Sequence, residues 1–327
     1  MSDFKLPGFP QELTETTRTD VYPAVSPSHA LADSAKNLTG AVVITGSGRG
    51  IGRATAHAFA LAGAPKIVLT ARSGHELDEV EAFIKKDVVN VKVIKVVADV
   101  SREEDVRRIF EAAGDVEVLI NNAGAFEGLK TIGESEPGDW VRTWDVNIKG
   151  TYLGTRELLR QIEAKPRASP VTIINTSSLA AALNIPKMSA YNASKSALNR
   201  LTELTHYENL GTVRAFAYHP GGVNTKMARD SFGEEFIKTA AGSTPELAAG
   251  FALWLATKSE SDFLSGRYTS CKWVSIVLDS VSGGLSDVFA EHGARDQDVE
   301  ELVAKKDEIV KEGLLFTVIR GQEPSRL

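Results

Sequence analysis

The stretch Thr45-Gly46-Ser47-Gly48-Arg49-Gly50-Ile51-Gly52 decides how this chain is expected to fold. It ends the short apolar run Ala41–Thr45 and leads into the alanine-rich segment Arg53–Ala62, a pattern typical of strand, tight turn and helix. Glycines in such a turn let a phosphate group approach the backbone at a helix N-terminus, where unpaired N–H groups and the helix dipole attract anions. The stretch therefore predicts a nucleotide-binding turn, which the context favours over a tight turn without a ligand.

Further apolar, β-branched runs follow along the chain, with helical patterns between them. These runs are Lys66–Thr70, Val91–Val97, Val116–Asn121, Val171–Thr176 and Val213–Tyr218. Continuous apolar runs of this kind are typical of strands that are buried on both faces. The alternation predicts an α/β fold, a doubly wound parallel sheet of Rossmann type with helices on both faces.

Three short motifs predict where helices begin. Ser73 with Glu76 and Ser101 with Glu104 have the spacing of capping boxes, in which a hydroxyl and a carboxylate satisfy free backbone N–H groups. Thr244-Pro245-Glu246 places proline in a first helical turn, where its missing N–H donor costs nothing. Each motif predicts a helix directly after it.

The composition narrows the class of protein. Of 327 residues, 43% are apolar and 24% charged, and the formal net charge is −6, so no electrostatic reason exists to bind nucleic acid or an anionic membrane. The single cysteine, Cys271, excludes internal disulfides and suits a reducing compartment. No apolar run reaches the ~18 residues of a membrane span, and the first residues lack a secretory signal. We expect a cytoplasmic protein, and the histidine spacing predicts no metal site.

Further motifs follow the glycine turn in a fixed order. They are Asn121-Asn122-Ala123-Gly124, Trp144-Asp145-Val146-Asn147, Ser177-Ser178, Tyr191-Asn192-Ala193-Ser194-Lys195 and Pro220-Gly221-Gly222-Val223-Asn224-Thr225. Together with the turn they resemble the short-chain dehydrogenase/reductase family, and among its members the fungal NADP-dependent ketone and aldehyde reductases. The resemblance covers about residues 39–273 and implies a hydride transfer between NADP(H) and a carbonyl or alcohol substrate.

The resemblance implies a catalytic set of Asn147, Ser178, Tyr191 and Lys195. A free tyrosine, with a pKa of about 10, is a poor base at pH 7, but Lys195 lies one helical turn after Tyr191 and its cation is expected to lower that pKa. Tyr191 is then the general acid/base, Ser178 orients the carbonyl, Lys195 also binds the nicotinamide ribose, and Asn147 holds a water in a proton relay. The family spacing selects Ser178, and Ser177 is expected to support the strand end.

The resemblance also implies which residues bind the cofactor. They are Gly46, Ser47, Arg49, Gly50, Ile51, Gly52, Arg72, Asp99, Asn121, Ala123, Gly124, Tyr191, Lys195, Pro220, Gly221, Val223 and Thr225. An NAD enzyme needs a carboxylate at the end of the second strand, whereas NADP needs cations for its 2′-phosphate. Ala71 occupies the carboxylate position and Arg72 follows, so NADP(H) is favoured over NAD(H). In the alternative interpretation Arg49 and Arg72 are ordinary surface residues.

Two other functions stay open. One is a non-catalytic dinucleotide-binding regulator or scaffold, and the other is a non-redox activity that uses the cofactor structurally. The intact catalytic set argues against the first, since a pure binder has no need of the acid. The family further implies a homodimer or homotetramer, formed through helices at about Pro137–Ala164 and Tyr191–Leu210, and a small-molecule carbonyl or alcohol as the partner.

We expect one domain with extensions at both ends. Residues 1–38, rich in proline, serine and threonine, predict an extended arm; residues 39–273 form the dinucleotide-binding and catalytic domain. Residues 274–297 interrupt a pattern of fungal relatives that resumes at Asp298, and Val274-Ser275 and Gln297 are compatible with splice-site codons. We therefore hypothesise a retained intron there. The alternatives are a genuine insertion or a last strand at Trp273–Leu278, and residues 298–327 predict a C-terminal helix and tail.

Overall fold

A computed structural model describes residues 18–183, 185–240 and 242–272 of the chain. Seven parallel strands form one sheet in the order β3-β2-β1-β4-β5-β6-β7. They are β1 (Ala41–Thr45), β2 (Lys66–Ala71), β3 (Lys92–Val97), β4 (Val116–Asn121), β5 (Val171–Thr176), β6 (Val213–His219) and β7 (Tyr268–Ser270). The strand order reverses between β1 and β4, so the predicted doubly wound parallel sheet is confirmed.

Eight helices alternate with these strands in the described part of the chain. They are α1 (Gly50–Leu61), α2 (Gly74–Asp87), α3 (Glu103–Ala113), α4 (Pro137–Trp144), α5 (Gly150–Ala164), α6 (Ser189–Glu208), α7 (Lys226–Ala240) and α8 (Pro245–Thr257). Two apolar clusters cover the two faces of the sheet. One joins α1, α2 and α8 to the strands, for example through Phe59, Ile84 and Phe251; the other joins α3 and α5 to them, for example through Ile109 and Leu158.

All three predicted helices form, as α2, α3 and α8, but the predicted side-chain cap is present at only two of their starts. The Ser73 hydroxyl accepts a hydrogen bond from the backbone N–H of Glu76 at the start of α2, and Thr244 does the same for Leu247 at the start of α8. The capping box at Ser101 is wrong. That hydroxyl donates to Asp99 instead, at 2.7 Å, and α3 begins at Glu103 without a side-chain cap. A nearby carboxylate outside the helix competes for the hydroxyl, which the spacing alone does not reveal.

The sheet differs from the sequence prediction at both edges. The run predicted as Val91–Val97 forms the edge strand β3, in which half of the residues are exposed, rather than a strand buried on both faces. At the opposite edge the short strand β7 was not predicted. Its three residues are buried beside β6 and are too few to produce a clear apolar run.

Residues 18–38 pack against the body of the domain. Val25, Leu31 and Ala35 are buried in the cluster that contains α8. The approach is close, since a Cβ atom built on Gly250 of α8 would lie 2.2 Å from the Val25 carbonyl oxygen. Residues 1–17 of the predicted arm, the hypothesised intron 274–297, the alternative strand Trp273–Leu278 and the predicted tail 298–327 lie outside the described residues.

Candidate active site

A cavity of about 660 Å³ opens at the carboxyl ends of the parallel strands. Its wall is formed by the segments that follow β1, β2, β3, β4, β5 and β6, together with residues of α4, α6 and α7. In an open parallel sheet, this edge beside the reversal of strand order is where ligands bind. The cavity therefore lies where the fold leads us to expect a dinucleotide.

The glycine turn forms the cavity wall at the start of α1. Gly46 has a φ angle of +64°, and a Cβ atom there would lie 2.9 Å from the Cα of Ala123. A Cβ on Gly52 would lie 2.4 Å from the Gly46 carbonyl oxygen, so the turn closes on itself and on the loop after β4. Arg49, the residue before α1, provides no side-chain cap, and the backbone of Gly50 and Ile51 lines the cavity. This arrangement fits an anionic phosphate.

Three residues predicted to bind the cofactor do not line the cavity. Ser47 is fully buried, and its hydroxyl is hydrogen-bonded to both the N–H and the carbonyl of Thr70. Gly52 lies behind the turn, and the Asn121 amide donates to Asn175 Oδ1 at 2.9 Å. All three hold the loops behind the wall. The remaining predicted residues line it, as do Ser178, Tyr191 and Lys195; Asn147 is buried behind it.

Asn122, which was not among the predicted cofactor-binding residues, lines the cavity in place of Asn121. Its side-chain amide donates to the carbonyl oxygens of Thr45 and Gly46, at 2.9 and 3.1 Å. The Thr45 hydroxyl in turn accepts from the N–H groups of Asn122 and Ala123. The sequence signal was present, because β4 ends at Asn121 and the next side chain in an extended chain points the other way.

Beyond β2 the cavity wall carries both signs of charge. Arg72 is exposed at the rim, whereas Arg49 pairs with Glu76 at 2.6 Å. Glu76 lines the cavity and was missed, because its spacing to Ser73 identified it only as a helix cap. Burial raises the pKa of Asp99, but hydrogen bonds from Ser101 and the charge of Arg72 outweigh it, so the pKa lies below its ordinary value.

Ser178 and Tyr191 meet on the other side of the cavity. Both side chains line the cavity, and the Ser178 hydroxyl acts on Tyr191 by lowering its pKa. The neighbouring Ser177 turns away and donates to Asn199 Oδ1 at 2.6 Å. Burial raises the pKa of Tyr191 by more than the Ser178 hydroxyl lowers it. The net shift is therefore upward, opposite to the direction predicted from Lys195, because desolvation dominates, and Tyr191 is held in its proton-donating form.

Lys195 lies beneath Tyr191 on α6. Its Nζ atom is 5.7 Å from the centre of the tyrosine ring and donates to the carbonyl oxygen of Thr176 at 2.7 Å. Burial lowers the pKa of Lys195 to about 8. A backbone carbonyl at the end of β5 thus fixes the amine beside the ring, and one helical turn is the spacing that brings the two side chains together.

Asn147 sits in a π-helical segment, Asp145–Lys149, between α4 and α5. Its side chain accepts from the N–H of Ala125 at 2.8 Å and donates to the Ala125 carbonyl and to the Ser194 hydroxyl, both at 3.0 Å. Short π-helical segments, or π-bulges, occur often at functional positions because they turn one residue out of the regular helical register. Here the bulge links the loop after β4 to the helix that carries Tyr191.

His219, at the end of β6, also lines the cavity and was not predicted as a site residue. Its Nδ1 accepts from the backbone N–H of Leu179 at 3.2 Å, so the proton lies on Nε2. Burial and the charge of Lys272 lower the pKa of His219 to about 4. A neutral imidazole with its remaining N–H available is therefore part of the cavity wall.

Apolar side chains complete the wall beside Tyr191. Phe126 meets the Tyr191 ring edge-on at 5.5 Å and contacts the ring of Phe232 at 5.6 Å. The other apolar residues of this wall are Ile185, Met188, Met227 and Ile237. Phe126 was not predicted as a site residue, since a phenylalanine after a glycine-rich loop carries no distinctive pattern.

The loop after β6 is held by a close backbone approach. Gly221 has a φ angle of +81°, and a Cβ atom there would lie 2.4 Å from the Ser243 hydroxyl. Val223 bridges to Ser243, and the Thr225 hydroxyl accepts from the N–H of Ala228 in α7. The loop thus presents Pro220, Gly221, Val223 and Thr225 to the cavity.

The family model for short chain dehydrogenases matches residues 40–235. The chain belongs to the short-chain dehydrogenase/reductase family. Curated relatives agree with this membership. The short chain dehydrogenase mpl6 of Monascus purpureus is 36% identical over 305 residues, covering 90% of this chain and 92% of its own length. The short chain dehydrogenase pigC of Monascus ruber is 32% identical, covering 92% of this chain and 91% of its own.

Solved structures of the family share the fold. A 3-ketoacyl-(acyl-carrier-protein) reductase from Brucella melitensis, complexed with NADH, has a TM-score of 0.63 and 27% identity, over 71% of this chain and 96% of its own. The oxidoreductase yciK from E. coli has a TM-score of 0.64 at 22% identity, over 73% of this chain and 97% of its own, and supports the fold alone. Members of this oxidoreductase family bind a nicotinamide dinucleotide and act on CH–OH or C=O groups.

Two features are absent from the part of the chain that the structure describes. No helix there is both long and apolar enough to cross a membrane. The same residues hold no group of three or more histidine, cysteine, aspartate or glutamate side chains that could bind a metal ion.

Proposed function

We propose that this short-chain dehydrogenase/reductase interconverts a ketone or aldehyde and an alcohol with NADP(H). The observation that carries the proposal is that Ser178, Tyr191 and Lys195 line one cavity, with the buried amine of Lys195 5.7 Å from the centre of the Tyr191 ring. When bound, the nicotinamide supplies or accepts the hydride. The glycine turn, Asn122 and the loop after β6 fit the phosphates and the nicotinamide end of such a molecule.

In the reductive direction, Tyr191 donates a proton to the carbonyl oxygen. Its raised pKa keeps the hydroxyl protonated at neutral pH, and the Ser178 hydroxyl is close enough to hold the same oxygen. Lys195 stays near the tyrosine ring and stabilises the phenolate that forms. Asn147 joins the loop at Ala125 to Ser194 of α6, so it fixes the distance between these groups.

The cofactor preference is proposed from the charges beyond β2. Arg72 is exposed at the cavity rim and suits a 2′-phosphate, while Ala71 offers no carboxylate to a ribose hydroxyl. Glu76 is the observation that favours the second candidate, NAD(H), since it is a carboxylate in the same part of the wall. Its pairing with Arg49 neutralises that charge, and for this reason we favour NADP(H).

The substrate class follows from the wall beside Tyr191. Phe126, Phe232 and Met188 offer apolar and aromatic surface where the carbonyl must lie. A bulky apolar or aromatic ketone buries more surface there than a small polar aldehyde. We therefore propose that hydrophobic ketones are reduced with higher kcat/KM than short polar aldehydes.

The experiment is to follow oxidation of NADPH and NADH by the purified full chain with a panel of carbonyl compounds. Turnover with NADPH that is lost in Tyr191→Phe supports the proposal. Dinucleotide binding without turnover on any carbonyl would favour the regulator or scaffold instead. Product formation without a change in the oxidation state of the dinucleotide would favour a non-redox activity.

We further propose a homodimer or homotetramer that acts in the cytoplasm, where a free thiol such as Cys271 stays reduced. Val141 of α4, Tyr152 of α5 and Leu204 and Tyr207 of α6 are between 46% and 59% exposed. Apolar surface of this kind on the helices that carry the site is typical of contacts between subunits. A monomeric mass by light scattering at micromolar concentration would contradict the assembly.

A further inference from the structure

The loop directly after β4 touches the reacting groups at three consecutive residues. Ala125 is hydrogen-bonded to Asn147 through both its N–H and its carbonyl group. Phe126 packs edge-on against the Tyr191 ring. Glu127 reaches the start of α6, the helix that carries Tyr191 and Lys195. The last of these contacts is made by a charged side chain with no role in the proposed mechanism.

Glu127 caps α6 from a distant part of the chain. Its Oε1 atom accepts from the backbone N–H groups of Ala190, at 2.8 Å, and of Tyr191, at 3.2 Å. Met188, the residue that precedes the helix, offers no side-chain cap of its own. The carboxylate therefore satisfies two of the free donors in the first turn, and one of them belongs to the proposed acid itself.

The second oxygen of Glu127 is placed differently. Oε2 is buried and has no hydrogen-bond partner among the residues that the structure describes. A buried oxygen without a donor leaves its negative charge poorly compensated, so the charge acts on neighbouring groups. The Tyr191 hydroxyl is one of them, because the charge of Glu127 raises the pKa of that tyrosine.

We propose that Glu127 is a positioning residue that fixes the first turn of α6 and poises Tyr191 as a proton donor rather than a phenolate. This inference rests on the proposed role of Tyr191 as the acid. The negative charge of Glu127 near the hydroxyl opposes formation of the phenolate, whereas the positive charge of Lys195 favours the phenolate.

Other polar groups act on Tyr191 or line the same cavity. They are Lys195 on the same helix, Ser178 after β5, His219 after β6, Tyr268 in β7, Arg142 of α4 and Lys226 of α7. His219 is neutral at pH 7 because its pKa is lowered to about 4, and Lys226 is paired with Asp230 at 2.6 Å. Glu127 is the acidic side chain whose charge acts on the Tyr191 hydroxyl.

The test separates the cap from the charge. Glu127→Gln retains an oxygen that accepts from α6 but removes the charge, whereas Glu127→Ala removes both. Glu134 provides a matched control, since it caps a turn in the same loop by accepting from the N–H and hydroxyl of Thr131 and is exposed to solvent. Glu134→Gln is expected to behave as the parent protein.

The decisive measurement is the ionisation of Tyr191, followed by tyrosinate absorbance without substrate. Subtracting the titration of Tyr191→Phe from that of the parent isolates this residue, and the same subtraction is made in the Glu127→Gln background. We expect the midpoint to move to lower pH in Glu127→Gln and to stay in place in Glu134→Gln. An unchanged midpoint in Glu127→Gln, or an equal shift in both variants, would overturn the proposal.

Activity provides a second readout. In Glu127→Gln, the alkaline limb of kcat for carbonyl reduction should move to lower pH, with kcat at pH 7 within about threefold of the parent. Glu127→Ala should lose about tenfold in kcat with little change in KM, because the first turn of α6 is no longer fixed. If Tyr191→Phe remains active, the proposed function fails; if it is inactive but the titration does not move, only the role of Glu127 fails.

Discussion

The two sides of the cavity are built from different parts of the chain. Beside β1 and β4, the wall consists of backbone at Gly46, Gly50 and Ala123, supported by hydrogen bonds between loops. Beside β5 and β6, it consists of the side chains of Ser178, Tyr191 and Lys195. Burial shifts the pKa values of Tyr191 and Lys195, and the Lys195 amine is fixed by the Thr176 carbonyl. The first side needs correct backbone angles, whereas the second needs correct protonation states. Changes on the two sides should therefore fail in different ways.

The largest effect is expected on the side-chain side. Tyr191→Phe removes the proposed acid and should reduce turnover by about 10²–10⁴-fold. Cofactor affinity, measured by the change in NADPH fluorescence on binding, should stay close to that of the parent protein. Tyr152→Phe is the control, because Tyr152 is half exposed on α5 and only its hydroxyl is removed. Turnover of Tyr191→Phe within a few-fold of the parent would contradict its role.

Arg72→Asp tests the charges at the rim of the cavity. A guanidinium forms strong charge-assisted hydrogen bonds with a phosphate, so NADPH binding should weaken by about 10- to 100-fold and NADH binding much less. Dissociation constants for both dinucleotides give the ratio. Arg107→Asp, an exposed site on α3, controls for net charge. Equal losses for NADPH and NADH would mean that Arg72 does not contact the 2′-phosphate, and a parent protein that prefers NADH would disprove the preference.

Gly46→Ala tests the backbone side. The φ angle of +64° disfavours a side chain, by roughly 1–2 kcal/mol, and the new Cβ would lie 2.9 Å from the Cα of Ala123. We expect NADPH to bind about tenfold more weakly and, with saturating NADPH, kcat to stay within a few-fold. Gly138→Ala adds a methyl group where nothing lies within 4 Å. A kcat defect as large as that of Tyr191→Phe would show that the two sides are not separate.

The smallest effect concerns protonation of His219. Its pKa is about 4 in the folded protein and 6.5 ordinarily, so between these values the unfolded chain binds the additional proton. Stability from this residue is therefore complete above about pH 6.5 and is lost as the pH falls towards 4, by about 1–2 kcal/mol. Denaturant unfolding should show a weaker dependence on pH in His219→Gln over this interval. The exposed His75→Gln should retain the parent slope, and a matching change there would contradict the assignment.

The sequence predicted most of the sheet because β1, β2, β4, β5 and β6 are buried and apolar, and burial leaves a continuous hydrophobic pattern. At β3 the apolar pattern predicted a strand buried on both faces, but the strand lies at the partly exposed edge of the sheet. At β7 the strand has only three residues, too few to give a recognisable pattern. The capping motif at Ser101 failed because the nearby carboxylate of Asp99 competes for the hydroxyl.

Residue order alone determined the family motifs, and with them the glycine turn and the candidate set of Asn147, Ser178, Tyr191 and Lys195. These depend on local spacing, since glycine permits the angles of a turn and one helical turn joins a tyrosine to a lysine. Only the tertiary structure brought Glu76 to Arg49 and Glu127 to the start of α6. It also set the direction of the Tyr191 pKa, because desolvation and charge act through space and depend on which distant residues fold against the group.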